Sequence, residues 1–162
     1  MHNISILFVI DDLPMGVGWG LTEAETKSTA FPVGYDSWKR LSLKLLSENP
    51  MKLKEFYRKI FRKKPDWSEG DYYSFMTGKG FITIGPHDKV RGKSRNPERI
   101  MFNLETKDVK REFGRIKKIG AAMIAEPYNP MEAPNMMIAT FADPDNNYFQ
   151  LVTPMEINGM KV

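Results

Sequence analysis

The sequence predicts an α+β fold: two β-α-β-β-β modules in tandem, forming curved mixed sheets around a cleft, with an N-terminal extension in front of them. Three observations carry that prediction. From residue 39 onward, stretches of period-two alternation give way to stretches of helical period and back again. The same unit then recurs: Ser42 and Arg99, Asn49 and Thr106, and Phe56 and Phe113 are each 57 positions apart. Finally, "DPDNN" at 143–147 is a turn sequence placed directly ahead of an alternating strand, "YFQLV".

Residues 1–37 make up the extension. Within it, Ile4 to Ile10 reads as one strand, and "PMGVGWG" and "STAFPVGYDS" read as loops. Gly16 and Gly18 lack the third glycine of a dinucleotide-binding fingerprint, because Leu21 stands there. The first module and its linker span 38–97. "RLSLKLL" (40–46) alternates as a strand, then Asn49 caps a helix that Pro50 opens. Leu53, Phe56, Tyr57 and Ile60 fall on one face of that helix, which should run over 49–61. "DYYSFMTG" and "GFITIG" follow as strands, and "VRGKSRNPE" (90–98) links the copies.

The second module spans 98–155. "RIMFNLE" (99–105) reads as a strand, and Thr106 as the cap of a helix over 106–119 that Gly120 closes. Val109, Phe113 and Ile116 share one face of it. "AAMIAEP", "MMIATFA" and "YFQLV" follow as strands, and 156–162 is a tail. Alternation sends Leu43, Leu45, Ile100, Phe102, Leu104, Phe149 and Leu151 toward the helices. It sends Ser42, Lys44, Leu46, Arg99, Met101, Asn103, Tyr148, Gln150 and Val152 into the cleft.

Composition narrows the chemistry. The chain has 162 residues, 41% hydrophobic and 12% aromatic, enough for a buried core. It has no Cys, so disulfides, thiolate catalysis and Cys-based zinc sites are excluded. No stretch is long and apolar enough to cross a membrane, and Asp11 and Asp12 follow the first apolar run, unlike a signal peptide. A cytoplasmic protein is expected. The net charge of +4 permits an anionic ligand without requiring one. The basic run "KLKEFYRKIFRKK" (52–64) reads as the solvated face of the first helix, and "GRIKKIG" as a cationic helix end that offsets the dipole. "EPYNPMEAPNMM" (126–137) reads as a Pro-rich connector, or as a lid over the cleft.

Three segments give the sequence a family resemblance: "LSLKLLSENPMKLKEFYRKIF", "IMFNLETKDVKREFGRIKKIGAAMIAEP" and "FADPDNNYFQLVTP". Over residues 39–155 the chain resembles the vicinal oxygen chelate superfamily, which includes glyoxalase I, extradiol dioxygenases and bleomycin-resistance proteins. Asn146 stands where the family usually has Gly, and Asn tolerates the same left-handed backbone. Asp143 and Asp145 are expected to shape the turn rather than to catalyse.

The resemblance implies a site on the cleft faces. Its metal-dependent members hold a divalent ion through His or Glu on the first and last strands of each module. Carried over, those positions are Ser42, Thr83, Arg99 and Gln150 here. Hydroxyls, a neutral amide and a guanidinium are poor ligands for such an ion. His2 and His87 are the only histidines and show no ligand spacing. No metal or other cofactor is therefore expected. The expected ligand-binding set is Ser42, Lys44, Thr83, Arg99, Met101, Asn103, Tyr148 and Gln150, joined by Phe81 and Thr140. That mixture suits a small organic ligand, anionic or aromatic. The expectation is a binder that sequesters or senses such a compound, and not an enzyme. The alternatives are a metal-dependent lyase or dioxygenase of the same superfamily, and a basic nucleic-acid-associated module. A homodimer is expected, with neither membrane nor nucleic acid as partner. Arg99 and Gln150 are expected side by side on the cleft floor.

Overall fold

A computed structural model describes residues 41–154 together with 156–157 and 160–161. The N-terminal extension, with its expected strand at Ile4 to Ile10, lies outside the described residues. The described chain forms two four-stranded mixed sheets with one long helix each. In the first module, strand β1 (Ser42–Ser47) leads to helix α1 (Pro50–Phe61), and strands β2 (Trp67–Glu69), β3 (Tyr72–Thr77) and β4 (Gly80–Pro86) follow. In the second, β5 (Met101–Glu105) leads to α2 (Val109–Ile119), then β6 (Ala122–Tyr128), β7 (Ile138–Ala142) and β8 (Tyr148–Val152). The sheet orders are β1-β4-β3-β2 and β5-β8-β7-β6, so each module repeats one topology. First and last strands run parallel in both, and the other pairs run antiparallel. Two short strands after the second module, β9 (Glu156–Ile157) and β10 (Met160–Lys161), pair with each other.

Both helices begin at side-chain caps. Asn49 Oδ1 accepts from the Lys52 N–H at 3.1 Å, and Pro50 occupies the first turn, as its sequence implies. The second cap differs from expectation. Asp108, not Thr106, accepts from the Arg111 N–H, at 3.0 Å. Thr106 is still tied to the sheet, since its N–H donates to Val152 O at 2.9 Å, and the chain turns only after that bond. Gly120 ends α2 with φ of 91°, and its N–H donates to Lys117 O, as expected. Arg62 ends α1 in the same left-handed region, with φ of 56°.

The repeat is real, but its spacing differs from the 57 positions read from sequence. The caps Asn49 and Asp108 are 59 apart, as are the first-strand positions Ser42 and Met101, whereas the last-strand positions Phe81 and Tyr148 are 67 apart. The buried helix faces are 56 apart: Leu53, Tyr57 and Ile60 answer to Val109, Phe113 and Ile116. Phe113 is thus the counterpart of Tyr57 rather than of Phe56, which is only partly buried. β2 was not legible, because its three residues are all exposed and too few to alternate.

Residues from both modules merge into one core. Tyr57 of α1 lies 6.3 Å from Phe102 and 6.2 Å from Phe149, ring centre to ring centre, both in the second sheet. Phe149 stacks in turn against Phe102 and Phe141, at 5.8 Å each. Arg115 of α2 donates to the free carbonyls of Lys59 and Ile60 at the end of α1, at 3.1 and 2.8 Å. Glu112 holds that guanidinium at 2.7 Å and also accepts from Arg62.

Candidate functional site

The strand registers decide which residues meet on the helix-free faces of the sheets. In the first sheet Lys44 lies opposite Thr83, and Thr83 opposite Ser74. In the second, Asn103 lies opposite Gln150, and Gln150 opposite Thr140. The two triplets are counterparts by position in the sheet: Asn103 answers to Lys44, Gln150 to Thr83 and Thr140 to Ser74, at offsets of 59, 67 and 66 residues. Each is cross-linked in the same place. Ser74 Oγ and Thr83 Oγ1 are 2.8 Å apart, and Gln150 Nε2 donates to Thr140 Oγ1 at 3.2 Å. One step along the strands, Ser42 opposes Phe81 and Met101 opposes Tyr148, again as counterparts.

Arg99 does not join them. It closes a short 3-10 turn, Pro97–Arg99, ahead of β5, and is exposed. Pro97 is buried and Ile100 is 70% exposed, so strand pairing starts only at Met101. Gln150 is opposite Asn103, four residues beyond Arg99, or about 13 Å along a strand. The expected Arg99–Gln150 pair on the cleft floor is therefore not formed. Arg99 instead lines the seam between the outer edges of β1 and β5. A cavity of about 390 Å³ there is bounded by Leu41, Ser42, Leu43, Met101 and Phe102 as well as Arg99. A neighbouring cavity of about 250 Å³ continues along Lys44 to Ser94 and Asn147.

Two further residues belong on the first face. Tyr72 lies flat across Gly85, where a Cβ would collide with Cδ1 and Cε1 of the ring. Lys44 Nζ sits 5.3 Å above that ring, a cation–π placement. Ser74 supplies the hydroxyl bonded to Thr83. The signal for both was present: alternation in "DYYSFMTG" puts Tyr72 and Ser74 on one face, and a mid-strand glycine marks a close approach. The two sheets differ in openness. Lys44 and Ser42 are exposed, while Thr140, Ile138 and Val152 on the second sheet are buried.

The turn at 143–147 is structural, as its sequence implies. Asp143 is buried, and its Oδ1 accepts from the Asp145 and Asn147 N–H groups, both at 2.9 Å. Its Oδ2 accepts from Asn147 Nδ2 at 2.9 Å and from the Tyr57 hydroxyl at 3.0 Å. Burial pushes the Asp143 carboxyl above its ordinary range, against the pull of these donors. Burial, then the Asp143 charge, pushes the Tyr57 phenol well above its own. Asn146 takes φ of 63°, the left-handed conformation the family usually gives to Gly. Its side chain ties the turn to the linker at Ser94 O, 2.8 Å. β6 takes up 126–128 of the Pro-rich segment, and in the remaining loop, 129–137, Asn129 Nδ2 donates to Pro134 O and Met136 O, which ties the segment to itself.

The residues present do not fit a divalent ion. With the observed registers, the first- and last-strand positions become Lys44 with Thr83 and Asn103 with Gln150. An ammonium, a hydroxyl and two amides offer no anionic donor. Among the described residues no group of three or more His, Cys, Asp or Glu could hold a metal. His87 is exposed, with Nδ1 accepting from the Lys89 N–H at 3.1 Å.

Comparison with known proteins gives the fold its family. The structure resembles a glyoxalase/bleomycin resistance protein/dioxygenase family enzyme from Burkholderia phytofirmans, with a TM-score of 0.56 and 17% identity over 70% of this chain and 97% of that one. It also resembles a glyoxalase/bleomycin resistance protein from Catenulispora acidiphila, with a TM-score of 0.55 and 13% identity over 70% and 96% of the chains. TioX from Micromonospora matches at a TM-score of 0.56 and 12% identity over 72% and 99%. No curated protein matches the sequence. Residues 42–152 match the model of the glyoxalase-like domain, and with its paired βαβββ modules the chain belongs to that family, within the vicinal oxygen chelate superfamily.

Proposed function

We propose that the protein is a metal-free binder of a small, flat organic anion, which it sequesters or senses on the helix-free face of its sheets. The observation that supports this reading is Lys44. An exposed ammonium stands where the fold's metal-dependent members place a metal ligand, above the Tyr72 ring and opposite the Thr83 hydroxyl. A cation repels a divalent ion and attracts a carboxylate or phenolate. Tyr72, Phe81 and Met101 offer flat apolar surface for the rest of such a molecule, and Ser42, Asn103, Tyr148 and Gln150 offer hydrogen bonds. Arg99 at the seam adds a second cation at the entrance.

The test is native mass spectrometry of protein purified without chelator, with elemental analysis of the same sample. The reading expects a co-purified or titratable aromatic acid and no stoichiometric metal. Lys44→Ala should weaken binding of that acid by about 1.5–3 kcal/mol, the range for a hydrogen bond to a charged group. Stoichiometric zinc, nickel or iron, or unchanged affinity in Lys44→Ala, defeats the reading. A homodimer is part of the same proposal. Met123, Ile124 and Tyr128 on the outer strand β6 are exposed apolar surface that a second copy would cover. A strict monomer in sedimentation at micromolar concentration counts against that part.

A further inference from the structure

In sequence the basic runs of the two modules are separate solvated helix faces; in the fold they meet where α2 touches the C-terminal end of α1. Arg115 of α2 reaches the last carbonyls of α1, and Arg62 beyond α1 reaches Glu112 of α2. Residues 52–64 and 107–118 together carry thirteen Lys and Arg against three Asp and Glu, a surplus of ten. The whole chain has a surplus of four, so all remaining residues together carry a net charge of minus six. The positive charge of this protein is therefore concentrated in these two segments.

The few acids there are already neutralised. Glu55 is held by Lys54 and Arg58 at 2.7 Å each, which draws its carboxyl down to about 2. Glu112 is shared by Arg62, Arg115 and Arg111. Asp108 is occupied as the cap of α2. Lys52, Lys59, Lys110 and Lys118 are exposed and make no ion pair among the described residues. We propose that this two-helix face is a docking surface for the phosphate backbone of double-stranded nucleic acid.

The apolar side chains decide between polyanions. A helix that binds a lipid surface presents its apolar face to the bilayer. Here Leu53, Tyr57, Ile60, Val109, Phe113 and Ile116 are all consumed by the core, and Met51 is the exposed large apolar residue on α1. Single-stranded nucleic acid is gripped by aromatic stacking platforms. The aromatic residues of both helices point inward or lie partly buried in the core. What is left is a set of cations without readout of bases, which suits duplex phosphates irrespective of sequence.

The experiment uses the whole protein and fluorescence anisotropy with a short labelled duplex DNA. If about five phosphates are contacted, affinity should fall roughly 500-fold between 50 and 200 mM salt, and not depend on sequence. The triple variant Lys52→Glu, Lys107→Glu, Lys110→Glu alters exposed side chains in or just before the first helical turns, where an anion suits the dipole, and its thermal unfolding should stay near that of the wild type. It should lose at least tenfold in affinity. A control with Lys79→Glu, Lys89→Glu and Lys93→Glu makes the same change in net charge away from both helices, and should lose less than threefold. Equal losses in the two variants mean a bulk charge effect and overturn the proposal. So does failure to bind duplex at 50 mM salt, or binding to phosphatidylserine vesicles without binding to duplex. Ligand binding on the sheet faces is read separately, and its absence leaves this result standing.

Discussion

Replacing Tyr57 with Phe removes one atom from a buried polar junction between α1 and the second module. The ring keeps its place against Phe56, Phe61, Phe102 and Phe149, so no cavity of consequence opens. What is lost is the donor to Asp143 Oδ2 at 3.0 Å. A hydrogen bond to a charged group contributes about 1.5–3 kcal/mol. Asp143 keeps its bonds from Asp145 and Asn147, so the lower half of that range is expected at neutral pH. The sign with pH follows from the raised carboxyl. The folded state binds the Asp143 proton more tightly than the unfolded state does, so ionising Asp143 costs stability as pH rises from the ordinary carboxylate value through the raised one. Tyr57→Phe takes away a donor that favours the ionised form and raises the folded value further. The variant's deficit should therefore be small around pH 3.5, where Asp143 is protonated, and full at neutral pH. Urea unfolding at both pH values, with unchanged m, measures it. A deficit of the same size at both, or a variant as stable as the parent at neutral pH, refutes the argument.

Other substitutions test other parts of the structure. Gly114→Ala should raise stability by about 0.5–1 kcal/mol in thermal unfolding, since the glycine lies inside α2 and a Cβ there meets nothing within 4 Å. Arg115→Leu leaves the last carbonyls of α1 without their donor and should cost about 1–3 kcal/mol in the same assay. Gly85→Ala should push the Tyr72 ring away from Lys44 and weaken ligand binding more than it weakens the fold, read by titration calorimetry beside a melting curve. For the Asp66 carboxyl, which Lys63 and the Met76 N–H hold below its usual range, Asp66→Asn should release the turn before β2 and shift the unfolding midpoint less at acid pH than at neutral pH.

The parts of the fold that repeat with a strong period were legible in the sequence. Alternation placed Leu45, Phe102, Phe149 and Leu151 in the core, and Asn49-Pro50 marked the start of α1. Phasing between the copies was not legible. Asp108 could cap α2 as well as Thr106, and only the bond from Thr106 N–H to Val152 O, between residues far apart in sequence, decides it. The same two-residue slip moved the expected strand start to Arg99, because nothing local says that Pro97–Arg99 closes a turn first. Of the candidate site, Lys44, Thr83, Asn103 and Gln150 were named individually, and their pairing came from strand register. Tyr72 went unnoticed because its role rests on the empty side of Gly85, across the sheet.

The aromatic junction around Tyr57 also has a consequence in time. Tyr57 and Asp143 are 86 residues apart, and a ribosome adding roughly 5–20 residues per second needs about 4–17 s to cover that distance. During that interval α1 exists without Phe102, Phe149 or the Asp143 turn, so the side that will face the second sheet is open to water. The nascent first module is then an amphipathic helix on a half-covered sheet. Chaperones that hold apolar surface should engage this chain between the emergence of residue 61 and that of residue 149, and release it once β8 pairs with β5.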